Sequence, residues 1–296
     1  MTPLEEARLA GRRLLLKRED VHELGSFKWR GALPTLEAFK RKGAETVITA
    51  STGNHGAATA WAAERLGMRA VVFASEGASR TKLELMERLG AEVRLVGADF
   101  DEAKSEAERF AVETGVLFVD GLEREQYEGY AAIADEILEQ ADQLPAAVVV
   151  PVGNGALLGG IGLGICRRRP EVERIGVVAK AAPCMALSWA AGEPVESDSA
   201  ETFADGVAVR VAIPQALEVL GEVASRVLQV SERAIAEAVG AYAAAGIRAE
   251  GAAAAALAVV PQLDDLGDPL VLVVSGRNID DELFKRACEE PETFPD

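Results

Sequence analysis

The sequence predicts an α/β protein made of two open parallel-sheet βαβ domains. Three observations carry this expectation. Short apolar, β-branched runs alternate with helical patterns almost from end to end. The runs are continuously apolar rather than alternating, as strands buried on both faces require. Glycine-rich turns follow directly on several of them. In chain order, a strand over 47–50 precedes a helix over 55–66, and a strand over 70–73 precedes a helix over 81–89. Strands over 93–96 and 117–119 lead into helices over 102–113 and 130–140. Right-handed crossovers then give a parallel sheet flanked by helices. A second series runs through strands 147–150, 175–178 and 270–274 and ends in a helix over 281–288. Between them, 182–211 carries Gly, Pro and acidic residues with weak periodicity and is expected to be an irregular connection. The alanine-dense stretch 232–257 predicts two closely packed helices, because alanine lets helix backbones approach.

Composition narrows the function classes. A length of 296 residues suits about two domains with ample core. Apolar residues make up 49% and charged residues 27%, the latter spread through the chain, which fits a folded globule rather than a disordered tail or a membrane protein. The net charge of −17 opposes a phosphate backbone or an anionic bilayer, so neither nucleic acid nor membrane is expected as a partner. Cys166, Cys184 and Cys288 are widely spaced and there are only two histidines, so no disulfide framework and no metal site are expected. The first residues lack a signal-peptide pattern, which makes the cytoplasm the expected location.

Open parallel sheets bind ligands beyond the carboxyl ends of their strands, so the turns there hold the candidate residues. Ser51, Thr52, Gly53, Asn54, His55 and Gly56 follow a strand and open a helix. Small residues with backbone N–H groups at a helix N-terminus suit a carboxylate or phosphate, and they equally suit an ordinary helix cap. Gly153 and Gly155, in the run Gly153, Asn154, Gly155, Ala156 and Leu157, let the backbone wrap an anion with no Cβ in the way. The spacing is not G-x-G-x-x-G, and the next strand ends at Lys180 without an acid for a ribose hydroxyl, so a single phosphate group suits the loop better than a dinucleotide. Ser275 follows the last strand, where it either meets a ligand atom or serves the turn. Lys28 lies between Phe27 and Trp29 where a helix opens; it is either a solvated lysine or an amine nucleophile whose proton affinity is lowered by partial desolvation.

Taken in order, Lys-Arg-Glu-Asp at 17–20, Gly-Ser-Phe-Lys-x-Arg-Gly-Ala at 25–32, Ser-x-Gly-Asn-His-Gly at 51–56, the loop at 153, Thr-x-Ala-Asp-Gly-x-Ala-Val at 202–209 and Ser-Gly-x-Asn at 275–278 form an ordered set. This set resembles the pyridoxal-phosphate enzymes of the tryptophan synthase β-like fold (fold type II), in the threonine/serine dehydratase and serine racemase branch. The resemblance implies a Schiff base between Lys28 and pyridoxal 5'-phosphate, with Phe27 as the adjacent ring contact. It implies Asn54 on the cofactor's 3-hydroxyl, the turn formed by Ser51, Thr52, Gly53, Asn54 and His55 on the substrate carboxylate, residues 153–157 on the phosphate, and Ser275 on the pyridine nitrogen. Glu250 matches a family glutamate near the cofactor; locally it is also an ordinary first-turn acid. A neutral serine holds no proton on that nitrogen as a carboxylate would, which weakens the electron sink and favours expulsion of a β-substituent.

The implied activity is loss of ammonia from a β-hydroxy amino acid such as threonine or serine, giving a 2-keto acid. Racemisation and β-replacement, as in threonine-synthase-like relatives, stay open at the same site. A non-catalytic ligand-binding protein or a nicotinamide-dependent enzyme is the reading from another class. Thr52 either protonates the opposite face of the substrate, as a racemase hydroxyl does, or caps the helix and contacts the carboxylate. Asn154 and Ala156 interrupt the branch's usual glycine run, and the stretch 225–229 lacks the acids of the family's cation site, so no metal is expected. The resemblance further implies a small domain over 42–126 inserted in a larger one formed by 1–41 and 127–296, a cofactor cleft that closes over substrate, and a homodimer. The chain ends soon after its last helix, so no regulatory domain and no feedback by an end-product amino acid are expected.

Overall fold

The computed structural model describes residues 1–78 and 80–296. The chain opens with strands β1 (Leu4–Leu9) and β2 (Arg12–Arg18), then helix α1 (Trp29–Arg41). β3 (Thr46–Ala50), α2 (Asn54–Leu66), β4 (Arg69–Ala74), α3 (Arg80–Arg88), β5 (Glu92–Leu95), α4 (Phe100–Thr114), β6 (Leu117–Phe118) and α5 (Arg124–Gln140) follow in strict alternation. The second series is β7 (Ala147–Pro151), α6 (Ala156–Arg168), β8 (Glu173–Ala179), α7 (Cys184–Ala191), α8 (Pro214–Val223), β9 (Arg226–Val230), α9 (Glu232–Ala244), α10 (Gly251–Ala258), β10 (Leu270–Val274) and α11 (Asp281–Glu289).

Met1–Phe27 and Tyr130–Asp296 form one compact unit, and Lys28–Gly129 forms another. The first unit holds a six-stranded sheet in the order β1-β2-β10-β7-β8-β9, parallel except for the β1–β2 hairpin at its edge. Every residue of β7 and β10 is buried, which is why these strands read as unbroken apolar runs. Helix α10, nearly all alanine with no polar face, is buried from Gly251 to Leu257 and packs against α9. The second unit holds a four-stranded, wholly parallel sheet in the order β5-β4-β3-β6. Its core joins Ile48, Val71 and Phe73 to Ala107 and Ala111 of α4, while Trp29 of α1 meets Trp61 of α2 edge-on. Among the described residues, no helix is long and apolar enough to cross a membrane.

Three features depart from the sequence expectations, each for a local reason. The hairpin forms because Leu9 pairs with Arg12 across a two-residue turn, with Ala10 and Gly11 both at positive φ (50° and 73°). That is the primed-turn geometry whose twist matches its strands. Helix α7 occupies part of 182–211, which is therefore not irregular throughout; at eight residues it is too short to show a period, and it ends on Gly192 in the left-handed conformation. Helix α5 begins at Arg124 rather than at 130 because Glu123 accepts bonds at the new N-terminus, its carbonyl from the amides of Gln126 and Tyr127.

An ion pair is buried in the first unit. Lys17 is 0% exposed, and its ammonium donates to Glu136 Oε2 at 2.6 Å and to the Thr2 carbonyl at 2.7 Å. A buried charge that loses its partner is far more costly than a pair replaced by apolar groups. Glu136→Ala should therefore lower unfolding free energy by about 3–5 kcal/mol, measured by denaturant titration. Adding Lys17→Met to that variant should restore most of the loss.

Candidate active site

In the first unit, four chain segments meet near the carboxyl ends of the sheet's strands. After β7 the chain turns through Gly153 and Asn154 to Gly155, which takes φ +94° and caps the N-terminus of α6. The first turn of a helix leaves N–H groups without intrahelical partners, and the dipole there favours an anion. Asn154 Oδ1 accepts the Ala156 amide at 3.1 Å, so the side chain itself takes one of these donors. Ala156 and Leu157 are buried, as is Gly155. A Cβ on Gly153 would stand 2.5 Å from the carbonyl oxygen of Gly206, so only glycine permits the approach of the two loops.

Gly206 in turn faces Glu250 Oε1, which a Cβ there would meet at 3.6 Å. Glu250 is 3% exposed and precedes α10 without capping it. Its backbone N–H donates to the Gly276 carbonyl at 3.0 Å, and its Oε2 accepts the Asn278 amide at 3.1 Å. A Cβ on Gly276 would lie 2.7 Å from the same carboxylate. Ser275, 2% exposed, follows β10, and its carbonyl accepts the Phe27 amide at 3.0 Å. Phe27 packs edge-on against Tyr130. Gly153, Gly155, Glu250, Ser275 and Phe27 thus belong to one continuous set of contacts. Gly206 links the set and was not singled out from sequence, although the Ala-Asp-Gly at 204–206 was a signal for it. That loop is held by Glu232, whose Oε2 accepts from Thr202 Oγ1 and from the Phe203 amide. Burial raises the Glu232 carboxyl above its usual range.

The second unit carries Lys28 and the turn after β3. Lys28 is half-buried at the N-cap of α1, its carbonyl accepting from the amides of Gly31 and Ala32. Ser51 joins β4 through its amide and the Phe73 carbonyl, and its Oγ accepts the Gly53 amide at 3.1 Å. Thr52, Gly53 and Asn54 are half-buried at the start of α2, with Asn54 as its first residue. His55 is next, its Nε2 3.3 Å from the Val119 carbonyl. A carbonyl only accepts, so Nε2 carries the proton and Nδ1 is the acceptor. Thr49 Oγ1 donates to that same carbonyl at 2.8 Å, which fixes the end of β6 to β3 and to the turn.

Loss of solvent, then the charge of Lys28, lowers the His55 pKa to about 4 against the opposing hydrogen bond to Val119. The ring is neutral at physiological pH, and the Lys28 charge acts directly on the turn. What the two sets can do chemically is distinct: the first offers amide donors and a helix N-terminus to an anion, the second an amine whose charge acts on a strand-to-helix turn.

A family model described as pyridoxal-phosphate dependent enzyme matches residues 1–276. The chain is 33% identical to a biosynthetic L-threonine dehydratase of Pasteurella multocida over 99% of its own length and 59% of the relative's. It is 34% identical to an L-threonine ammonia-lyase of Thermotoga maritima, over 94% of this chain and 70% of that one. Among solved structures, the processed form of threonine deaminase isoform 2 from Solanum lycopersicum superposes with a TM-score of 0.90 at 28% identity, covering 97% of this chain and 87% of the other.

The pH dependence of His55 is a direct check. Its folded pKa lies below the unfolded value, so unfolding takes up a proton between about pH 4 and 6.5. Stability should therefore fall as pH drops through that window, and the slope should shrink in His55→Gln. In an NMR titration the ring should stay neutral to below pH 5; a midpoint near 6.5, the value of an unperturbed histidine, would contradict the burial argument.

Proposed function

We propose that this chain, which belongs to the pyridoxal-phosphate dependent enzyme family, is an ammonia-lyase acting on a small β-hydroxy amino acid such as threonine or serine. It releases a 2-keto acid and ammonia, with pyridoxal 5'-phosphate as cofactor. The observation that carries the reading is the glycine-lined set of loops in the first unit. A phosphate monoester fits the 153–157 loop because a left-handed glycine opens the helix N-terminus there and side chains are absent where backbone meets backbone. The names of the relatives support the reaction class.

The cofactor, when bound, supplies a conjugated electron sink that eases loss of the substrate's α-proton. The remaining work falls to this chain. Residues Gly153, Asn154, Gly155, Ala156 and Leu157 would hold the phosphate, and Asn154 fixes the helix opening through its bond to Ala156. Ser275 would be the neutral partner of the ring nitrogen, Asn54 would hold the ring hydroxyl, and Phe27 would be the adjacent ring contact. Glu250 keeps the loops at 206 and 276 in register, its carboxylate satisfied by the Asn278 amide. Lys28 is the residue whose amine would hold the cofactor and which, when free, would serve as the base for the α-proton. The Ser51, Thr52, Gly53, Asn54 and His55 turn orients the substrate carboxylate, and a neutral His55 keeps a second positive charge away from Lys28. Thr52 would contact the substrate carboxylate; it makes no cap bond to α2, whose N-cap is Gly53. The same reading takes the protein as a cytoplasmic homodimer.

The test combines colour with products. The purified protein, supplied with cofactor, should absorb in the visible and be bleached by borohydride. Lys28→Ala should lose that behaviour and at least about 10³-fold of keto-acid formation from L-threonine or L-serine. A colourless protein that binds a nicotinamide dinucleotide, or a product that is the enantiomer with no keto acid, would overturn the assignment.

A further inference from the structure

The chain that leads into Lys28 lies in no helix and in no strand of the sheet. Residues 22–27 come after the short helical turn Glu19–Val21 and before α1, so neither a ladder nor a helix sets their course. Leu24 and Ser26 are nonetheless only 4% and 1% exposed. A buried irregular segment keeps its shape through specific partners for its backbone groups. The Gly25 amide closes a turn on the His22 carbonyl at 2.8 Å, and further partners come from residues 275–278, the loop after β10.

Ser26 faces Gly276 across an isolated antiparallel bridge, flanked by two main-chain bonds. The Phe27 amide donates to the Ser275 carbonyl at 3.0 Å, and the Arg277 amide donates to the Gly25 carbonyl at 2.8 Å. Asn278 adds a tie that depends on its side chain. Its main-chain N–H donates to Glu250 Oε2 at 3.1 Å, while its Nδ2 donates to the Leu24 carbonyl at 2.7 Å. One residue thereby joins the buried carboxylate of Glu250 to the segment that ends at Lys28. Gly25 makes room for it: the residue takes φ +65°, and a Cβ there would stand 2.4 Å from Asn278 Oδ1. A side chain at that position would be strained by its own backbone and would displace the amide.

We infer that Asn278 is a positioning residue for Lys28. Its side-chain amide, seated against Gly25 and bonded to Leu24, fixes residues 24–27 against the loop of Ser275 and Gly276, and with them the point at which the chain enters Lys28. The inference rests on the reading of Lys28 as the lysine that holds the cofactor. Misplacing a reacting group by about 1 Å costs on the order of 10²-fold in reactivity, so a tie one peptide bond before that lysine bears on its amine. Truncating the side chain removes the bond to Leu24 and leaves the main-chain bond to Glu250 in place. The effect is therefore confined to the lysine, and the contacts of Ser275 and Glu250 are kept.

Two phosphate esters separate these roles by binding rather than by turnover. Pyridoxine 5'-phosphate carries an alcohol in place of the aldehyde and reports the phosphate loop and the ring contacts. Pyridoxal 5'-phosphate adds the condensation of its aldehyde with the Lys28 amine, which releases water. Both are titrated into the protein by calorimetry. In Asn278→Ala the ratio of the two affinities should fall about tenfold, with pyridoxine 5'-phosphate bound as before. Gly25→Ala, which drives a methyl into the same amide, should lower the ratio in the same direction, and the double variant should fall no further than the larger single loss. Glu136→Ala, which loses stability in the same unit without touching this loop, should keep the ratio. A ratio unchanged in Asn278→Ala, or in Gly25→Ala where the former does not fold, overturns the positioning role, as does an equal fall in Glu136→Ala. Equal affinity for the two esters in the unsubstituted protein overturns the cofactor lysine and this inference with it. Failure of the lyase reading shows separately, as absent keto acid from L-threonine and L-serine.

Discussion

Main chain must touch main chain for the first unit's loops to come together, and that requirement governs most of what surrounds them. The carbonyl of Gly206 lies where a Cβ of Gly153 would stand, and the carboxylate of Glu250 lies where a Cβ of Gly276 would stand. Glycine at these positions is a steric necessity rather than a source of flexibility. Because the approach is that close, Glu250 reaches the Asn278 amide and the loops at 206 and 276 share one buried carboxylate. The strands beneath, β7 and β10, can be wholly apolar because their polar backbone is used up in parallel pairing and the chemistry is left to the turns.

The second unit solves a different problem. Its sheet is small and carries few polar contacts to spare, yet the turn after β3 needs a fixed shape. It obtains one from the neighbouring strand: Thr49 and His55 converge on a single carbonyl, and the ring is held as one tautomer. Desolvation keeps that ring uncharged beside Lys28. An amine that is to act as a base gains from a neighbour that does not compete for protons, and a neutral imidazole with its N–H already committed is such a neighbour.

Much of this was legible in the sequence, for identifiable reasons. The runs 147–150 and 270–274 announce buried strands because both faces must be apolar, and the turns at 51 and 153 announce themselves because only small residues fit a strand-to-helix turn with exposed amides. What could not be read depends on contacts between distant residues. Gly206 and Gly153 are joined by no local pattern, and the match of Lys17 with Glu136 links a strand to a helix more than a hundred residues on. The hairpin escaped notice because β1 is half exposed and its turn uses Ala10 in an uncommon conformation. Glu123 carries no local signal either, since burial and the charge of Asp120 set its carboxyl apart only in the folded chain.

The shared carbonyl of Val119 has a consequence for how such proteins are surveyed. It belongs to the peptide group, so every amino acid at that position supplies it, and a scan of side chains would report position 119 as sensitive to size alone. The coupling between strand end and turn would surface only when the peptide itself is altered, for instance by an ester linkage that weakens the oxygen as an acceptor. Tolerance to replacement therefore does not measure how much a residue contributes.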